Sequence, residues 1–177
     1  MNDLDATVHL SRRRALIERA LEERLPSANE EPRLIHEAMR YATLGGGKRL
    51  RPTLVLEVGS MADATRESYL DAACALEFVH TASLVLDDLP SMDNAALRRG
   101  NPATHTVYGE ATAVLASMGL VAMAFELVAR NAETLGYPER AAGAVRKLAE
   151  AVGPGGIIHG QHVDLGLVAD RASLERI

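Results

Sequence analysis

The sequence has no tryptophan, only two phenylalanines and four tyrosines, and a single cysteine, Cys74. So few aromatic faces leave little for bases to stack on, and a net charge of -5 offers phosphate backbones no attractive field; a nucleic-acid surface is excluded as a reading. A lone cysteine cannot close an internal disulfide. Within the apolar run "YLDAACALEFV", Cys74 reads as a buried, inert thiol, which points to a reducing, cytoplasmic setting. Long hydrophobic runs are missing too. The longest uncharged one, Ala111 to Phe125, falls short of the roughly 20 residues a bilayer crossing needs. The N-terminal "MNDLDATVHLSRRR" lacks an apolar core of signal-peptide length, so no membrane span is expected. Arg12 to Arg14 read as a solvated face.

What is present describes one domain: 177 residues, 47% hydrophobic and 24% charged, enough to bury a core. Apolar residues recur at helical spacing, and β-branched clusters bounded by turn residues are scarce, so the fold is expected to be all-α. Helices are predicted at about Val8 to Glu23, Pro32 to Thr43, Pro52 to Met61, Arg66 to Leu89, His105 to Asn131, Pro138 to Val152 and Gly155 to Val168. Gly and Pro clusters separate them, with prolines near helix starts. Ser173 reads as the N-cap of a further helix, for which too little sequence follows to form one on its own.

Residues 84 to 94, "LVLDDLPSMDN", run an apolar helical segment into Asp87, Asp88 and Asp93. A helix C-terminus already carries the negative end of the dipole. Two like charges about 4 Å apart at an effective dielectric near 20 repel by roughly 4 kcal/mol, so such a cluster needs a cation or a raised pKa. A hard divalent ion suits an all-carboxylate set, and Mg²⁺ in particular combines one or two carboxylates with phosphate oxygens. The loop lacks the alternating ligands, central Gly and closing Glu of an EF-hand. A solvated acidic loop, with Asp and Asn as turn formers, is the other reading these residues allow.

Cations flank the cluster. "GGGKRLRP" sets Lys48 and Arg51 at a glycine-rich turn entering a helix headed by Pro52, where free amides favour phosphate. It is not a Walker A loop, since Ala42 and Arg49 stand where Gly and Ser or Thr would be required. "ALRRGNPATH" places Arg98 and Arg99 just beyond the aspartates, suited to bidentate phosphate contacts or simply a basic surface pair. His159 and His162 have metal-like spacing near Asp164, but zinc is the disfavoured reading there.

Taken in order, "GGGKRLRP", "FVHTASLVLDDLPSMDNAALRRGNPATH", "GEATAVLA", "AFELVA" and "GPGGIIHGQHVDL" resemble the trans-type polyprenyl diphosphate synthases, the farnesyl and geranylgeranyl diphosphate synthase family. The resemblance implies an antiparallel helical bundle of the isoprenoid synthase type, truncated here. Residues 1–177 correspond to the N-terminal part of a typical member, and the C-terminal part, with a second aspartate-rich motif, is absent from this sequence. It implies that Asp87, Asp88 and Asp93 bind Mg²⁺ and the allylic diphosphate, and that Lys48, Arg51 and His80 line the isopentenyl diphosphate pocket. Arg98 is then a contact to the allylic diphosphate and Arg99 one to isopentenyl diphosphate, while Gln161 and Asp164 face the cavity. Catalysis is expected to rest on Asp87, Asp88 and Arg98.

In this family a bulky aromatic just upstream of the first aspartate blocks the growing chain. Here Ala82 and Ser83 stand at those positions, so the resemblance implies a geranylgeranyl rather than a farnesyl product. Two departures stand out: Leu86, where bacterial members often have His, and Met118, where members usually have Asp. Three expectations follow: a prenyltransferase condensing isopentenyl and allylic diphosphates, as a homodimer; a non-catalytic partner subunit of a complete synthase; or a diphosphate-binding module without turnover.

Overall fold

The computed structural model describes residues 3–62 and 66–166. Eight helices are present among them: α1 (Asp3–Arg24), α2 (Arg33–Leu44), α3 (Leu50–Met61), α4 (Leu70–Asp87), α5 (Thr104–Tyr108), α6 (Glu110–Thr134), α7 (Ala141–Val152) and α8 (Ile157–Asp164). Single 3₁₀ turns at Arg66–Tyr69 and Pro138–Arg140 lead into α4 and α7. The all-α expectation holds, with one addition. β1 (Leu97–Arg98) and β2 (Asn101–Pro102) form an antiparallel ribbon pairing Leu97 with Pro102 and Arg98 with Asn101. Its two-residue connection has positive φ at Arg99 (54) and Gly100 (85), the pattern of a type I′ hairpin.

α4 is the central element. Eleven of its residues are buried, from Leu70 to Val85, so it is enclosed on most sides rather than along one stripe. Its main partner is α6, and small residues on both, such as Ala73, Ala82, Ala116 and Ala124, let the two backbones approach. Ser117 Oγ donates to the Ala82 carbonyl at 3.1 Å, and the Ala72 amide donates to Asn131 Oδ1 at 2.9 Å. Rising residue numbers on one helix therefore meet falling numbers on the other: the pair is antiparallel. Asn131 thus supplies from α6 the acceptor that the first turn of α4 lacks locally. By length and composition α6 could cross a membrane, but it serves here as the packing partner of α4.

α1 joins the layer through Ile17, Ala20 and Leu21, and α3 packs on α4 through Leu56. Asp71 clamps three elements, accepting from Arg24 at 2.6 Å and Arg130 at 2.7 Å. Burial pushes its carboxyl up, but these bonds prevail and hold it below the ordinary range.

Most expected helices are found to within a few residues. The single helix predicted from His105 to Asn131 breaks at Gly109 (φ 82) into α5 and α6, and the one from Arg66 to Leu89 begins as a 3₁₀ turn and ends at Asp87. Val168 and Ser173 lie outside the described residues. The run Arg12 to Arg14 is not uniformly solvated: Arg13 is buried and donates to Glu57 at 2.6 Å, because it falls on the inward stripe with Ile17 and Leu21.

Candidate active site

The last turn of α4 carries Asp87, with Asp88 as its cap. The following loop folds back onto the free carbonyls: the Asp93 amide donates to the Asp87 carbonyl at 2.8 Å, and the Ala95 amide to that of Asp88 at 3.2 Å. This fixes the three aspartates at one end of the bundle. Burial first, and then the charge of Asp93, raise the Asp87 carboxyl above its ordinary value; Asp88 and Asp164 add to this, and Arg98 opposes it. Asp164, at the end of α8, therefore belongs to the same acidic cluster.

Asp88 is handled differently. It is 2% exposed, and both of its oxygens accept from Arg98: Nε lies 3.0 Å from Oδ1 and 3.1 Å from Oδ2, and Nη2 also donates to Oδ1. Part of the compensation that the acidic cluster requires is thus an internal arginine, delivered by the β-ribbon. Among the described residues, no three His, Cys, Asp or Glu side chains converge on a metal-sized point. Asp87 and Asp93 nonetheless offer the hard oxygen donors that Mg²⁺ prefers, and they repel one another without a cation. In donor chemistry the residues fit that ion, with Asp88 engaged elsewhere.

A second site lies beside the start of α3. Lys48, Arg51, His80 and Arg99 line a cavity of about 520 Å³, together with Arg14 from α1, which was expected only as part of a solvated face. Arg51 Nη1 lies 3.3 Å from His80 Nε2. Burial, reinforced by the charge of Arg51, lowers the His80 pKa, favouring the neutral ring that can accept from a guanidinium. Arg99 Nη1 donates to the Gly46 carbonyl. A side chain at position 47 would start 2.5 Å from that guanidinium, so the close approach requires the glycine there.

A third feature is an apolar cavity of about 680 Å³ between α4, α6 and α8. Ala82 and Ser83 line it, with Val79 deeper along α4 and Val121 and Phe125 along α6. Leu86 and Met92 bring it up to the aspartates, and Gln161 and His162 contribute polar groups from α8. Met118 lies in its wall and is 63% exposed, so the cavity is open on that side. The expected site residues are thus distributed over three adjoining regions: acidic, cationic and apolar.

The family model described as polyprenyl synthetase matches residues 32–176. The chain belongs to that family. It is 43% identical over 176 residues to geranylgeranyl pyrophosphate synthase 3, chloroplastic, of Arabidopsis thaliana, covering 98% of this chain and 48% of that protein. It is 45% identical to heterodimeric geranylgeranyl pyrophosphate synthase large subunit 2 of the same plant, covering 91% of this chain and 42% of that one. In structure it is similar to an FPP/GFPP synthase from Zymomonas mobilis, with a TM-score of 0.86 and 36% identity over 95% of this chain and 60% of that one. The chain therefore spans about half the length of the curated relatives it matches.

Proposed function

We propose that this chain carries the diphosphate-binding part of a prenyltransferase that condenses isopentenyl diphosphate with an allylic diphosphate. The supporting observation is the order of environments along α4. His80 faces the cationic pocket, Ala82 and Ser83 the apolar cavity, and Asp87 the acidic cluster. In this reading Lys48, Arg51 and His80, with Arg99, hold isopentenyl diphosphate, and Arg98 the allylic diphosphate. Gln161 lines the cavity that takes the hydrocarbon chain. Asp87 and Asp93, joined by Asp88 once it is released from Arg98, would hold Mg²⁺, which would supply neutralising charge to the departing diphosphate. The isopentenyl double bond forms the new carbon–carbon bond as the diphosphate leaves, and a proton is then lost. No side-chain nucleophile is needed, and the apolar walls keep water from the allylic cation.

Small residues at 82 and 83 leave the cavity open beyond them, which favours a geranylgeranyl product. A homodimer is the assembly proposed, in the cytoplasm; the Cys74 thiol, pushed up to about 12 by burial, is inert and takes no part in the chemistry. The test is incubation of the chain with Mg²⁺, isopentenyl diphosphate and each short allylic diphosphate, with products resolved by length. Geranylgeranyl diphosphate is the expected product. Failure to bind either diphosphate in the folded protein would overturn the proposal.

A second reading is favoured by the similarity to a relative named as one subunit of a heterodimeric synthase. In that reading the chain is a diphosphate-binding subunit, inactive alone, that pairs with a complete synthase. Binding without turnover, together with co-purification and altered product length when such a synthase is added, would select it.

A further inference from the structure

Asp88 is the one aspartate of the cluster whose carboxylate is fully engaged. Its side chain is 3% exposed, and the Arg98 fork occupies both oxygens. Asp93 is exposed, and Asp87 feels Arg98 only through its charge. A carboxylate this deeply buried stays ionised only with a cation against it. Arg98 supplies that cation from β1, with its own side chain 36% exposed and so within reach of a second anion. The ribbon beneath it is fixed by Arg99, which is bonded to the Gly46 carbonyl. A guanidinium fork matches a diphosphate as well as it matches a carboxylate.

Building on the diphosphate reading above, we infer that Arg98 is a displaceable counter-ion for Asp88: it competes with a divalent cation for that carboxylate, and releases it on turning to a bound diphosphate. Cation and diphosphate binding are then coupled through one side chain. By linkage, whatever factor the anion adds to cation affinity, the cation adds to anion affinity.

The test is titration of the 177-residue chain with Mn²⁺ alone, followed by loss of the free-ion electron paramagnetic resonance signal. Arg98→Lys keeps the charge but loses the fork, and is expected to bind Mn²⁺ about tenfold more tightly than wild type, a coupling of ordinary size. Arg98→Gln should gain at least as much and bind inorganic pyrophosphate several-fold more weakly. Arg19→Gln removes one positive charge from the exposed face of α1 without freeing Asp88, and should stay within about twofold of wild type in Mn²⁺ affinity. Should Arg98→Gln fold poorly, Arg98→Gln with Asp88→Asn restores the pairing of neutral groups and should lose the gain. Equal Mn²⁺ affinity in wild type and Arg98→Lys, with binding abolished by Asp87→Asn, overturns the counter-ion role and leaves the acidic site standing. No Mn²⁺ binding by any folded variant overturns both.

Discussion

Replacing Arg49 with methionine tests how the cationic loop is held. Arg49 lies between Lys48 and Arg51, in a left-handed backbone conformation (φ 53, ψ 35), and is the largest fully buried side chain among the described residues. Its guanidinium donates to Glu18 at 2.9 and 3.0 Å, to Glu77 at 2.6 Å and to the Thr43 carbonyl at 2.7 Å. Burial alone would push it down, but the bonds to Glu18 and Glu77 keep it charged and raised. Methionine fills similar space and leaves these partners behind. Glu18, with a 31% exposed side chain, can rehydrate; Glu77, at 3%, cannot.

Breaking one half of a buried pair costs about 3–5 kcal/mol, and the orphaned Thr43 carbonyl adds about 1. A loss of about 4–6 kcal/mol is therefore expected, a large share of a total stability of about 5–15. Urea denaturation followed by circular dichroism measures it as a lower midpoint with an unchanged slope. Combining Arg49→Met with Glu77→Leu removes the stranded charge and should recover most of the loss, since apolar replacement of a whole buried pair is often neutral. A single-variant loss under about 1 kcal/mol, or no recovery in the double variant, would refute the reasoning.

His80 should titrate below its ordinary 6.5 in ring-proton NMR, and Arg51→Gln should move it upward by removing a nearby positive charge and a donor to the neutral ring. Because the folded value is the lower one, this group leaves stability unchanged above about pH 6.5 and lowers it as pH falls from there through the depressed value. Ser83→Phe places a ring in the apolar cavity and should shorten the product, or weaken binding of the longest allylic diphosphate where turnover is absent; unchanged length selectivity would refute that role. Asp87 has the opposite sign from His80: its raised value makes the ionised folded form unfavourable, so stability falls as pH rises through that value. Asp87→Asn should then raise the thermal midpoint at neutral pH, measured by scanning calorimetry, while abolishing Mn²⁺ binding. Val58, 66% exposed on α3, should tolerate lysine with a change within about 0.5 kcal/mol by urea denaturation.

Much of the fold was legible because it is written in periodicity. The stripe from Ile17 to Leu21 and the nearly continuous apolar run of α4 specify which faces are buried before any contact is known. The cationic pocket was legible for a different reason: Lys48 and Arg51 lie at a turn whose glycines advertise a close approach, and Gly47 makes one with Arg99. Arg13 and Arg14 were not separable by composition, since one is turned inward by phase and the other reaches the pocket only because α1 packs beside α3. The break at Gly109 was hidden because a helical pattern continues on both sides of it.

The ribbon explains why the cluster's own neutralisation was not legible. Asp88 and Arg98 are ten residues apart, and no helical or strand period joins positions at that distance. They meet because the loop after α4 returns on its own carbonyls, and because a two-residue turn at Arg99 and Gly100 aims Arg98 back at the helix end. A reading of charge along the sequence sees three aspartates followed by two arginines and pairs the groups with external ions. The three-dimensional arrangement pairs one aspartate internally and leaves Asp87, raised by burial and by its like-charged neighbours, without a bonded cation among the described residues. That asymmetry makes the site responsive: a cluster with every carboxylate already satisfied would have no reason to bind a metal, and one with none satisfied would oppose folding.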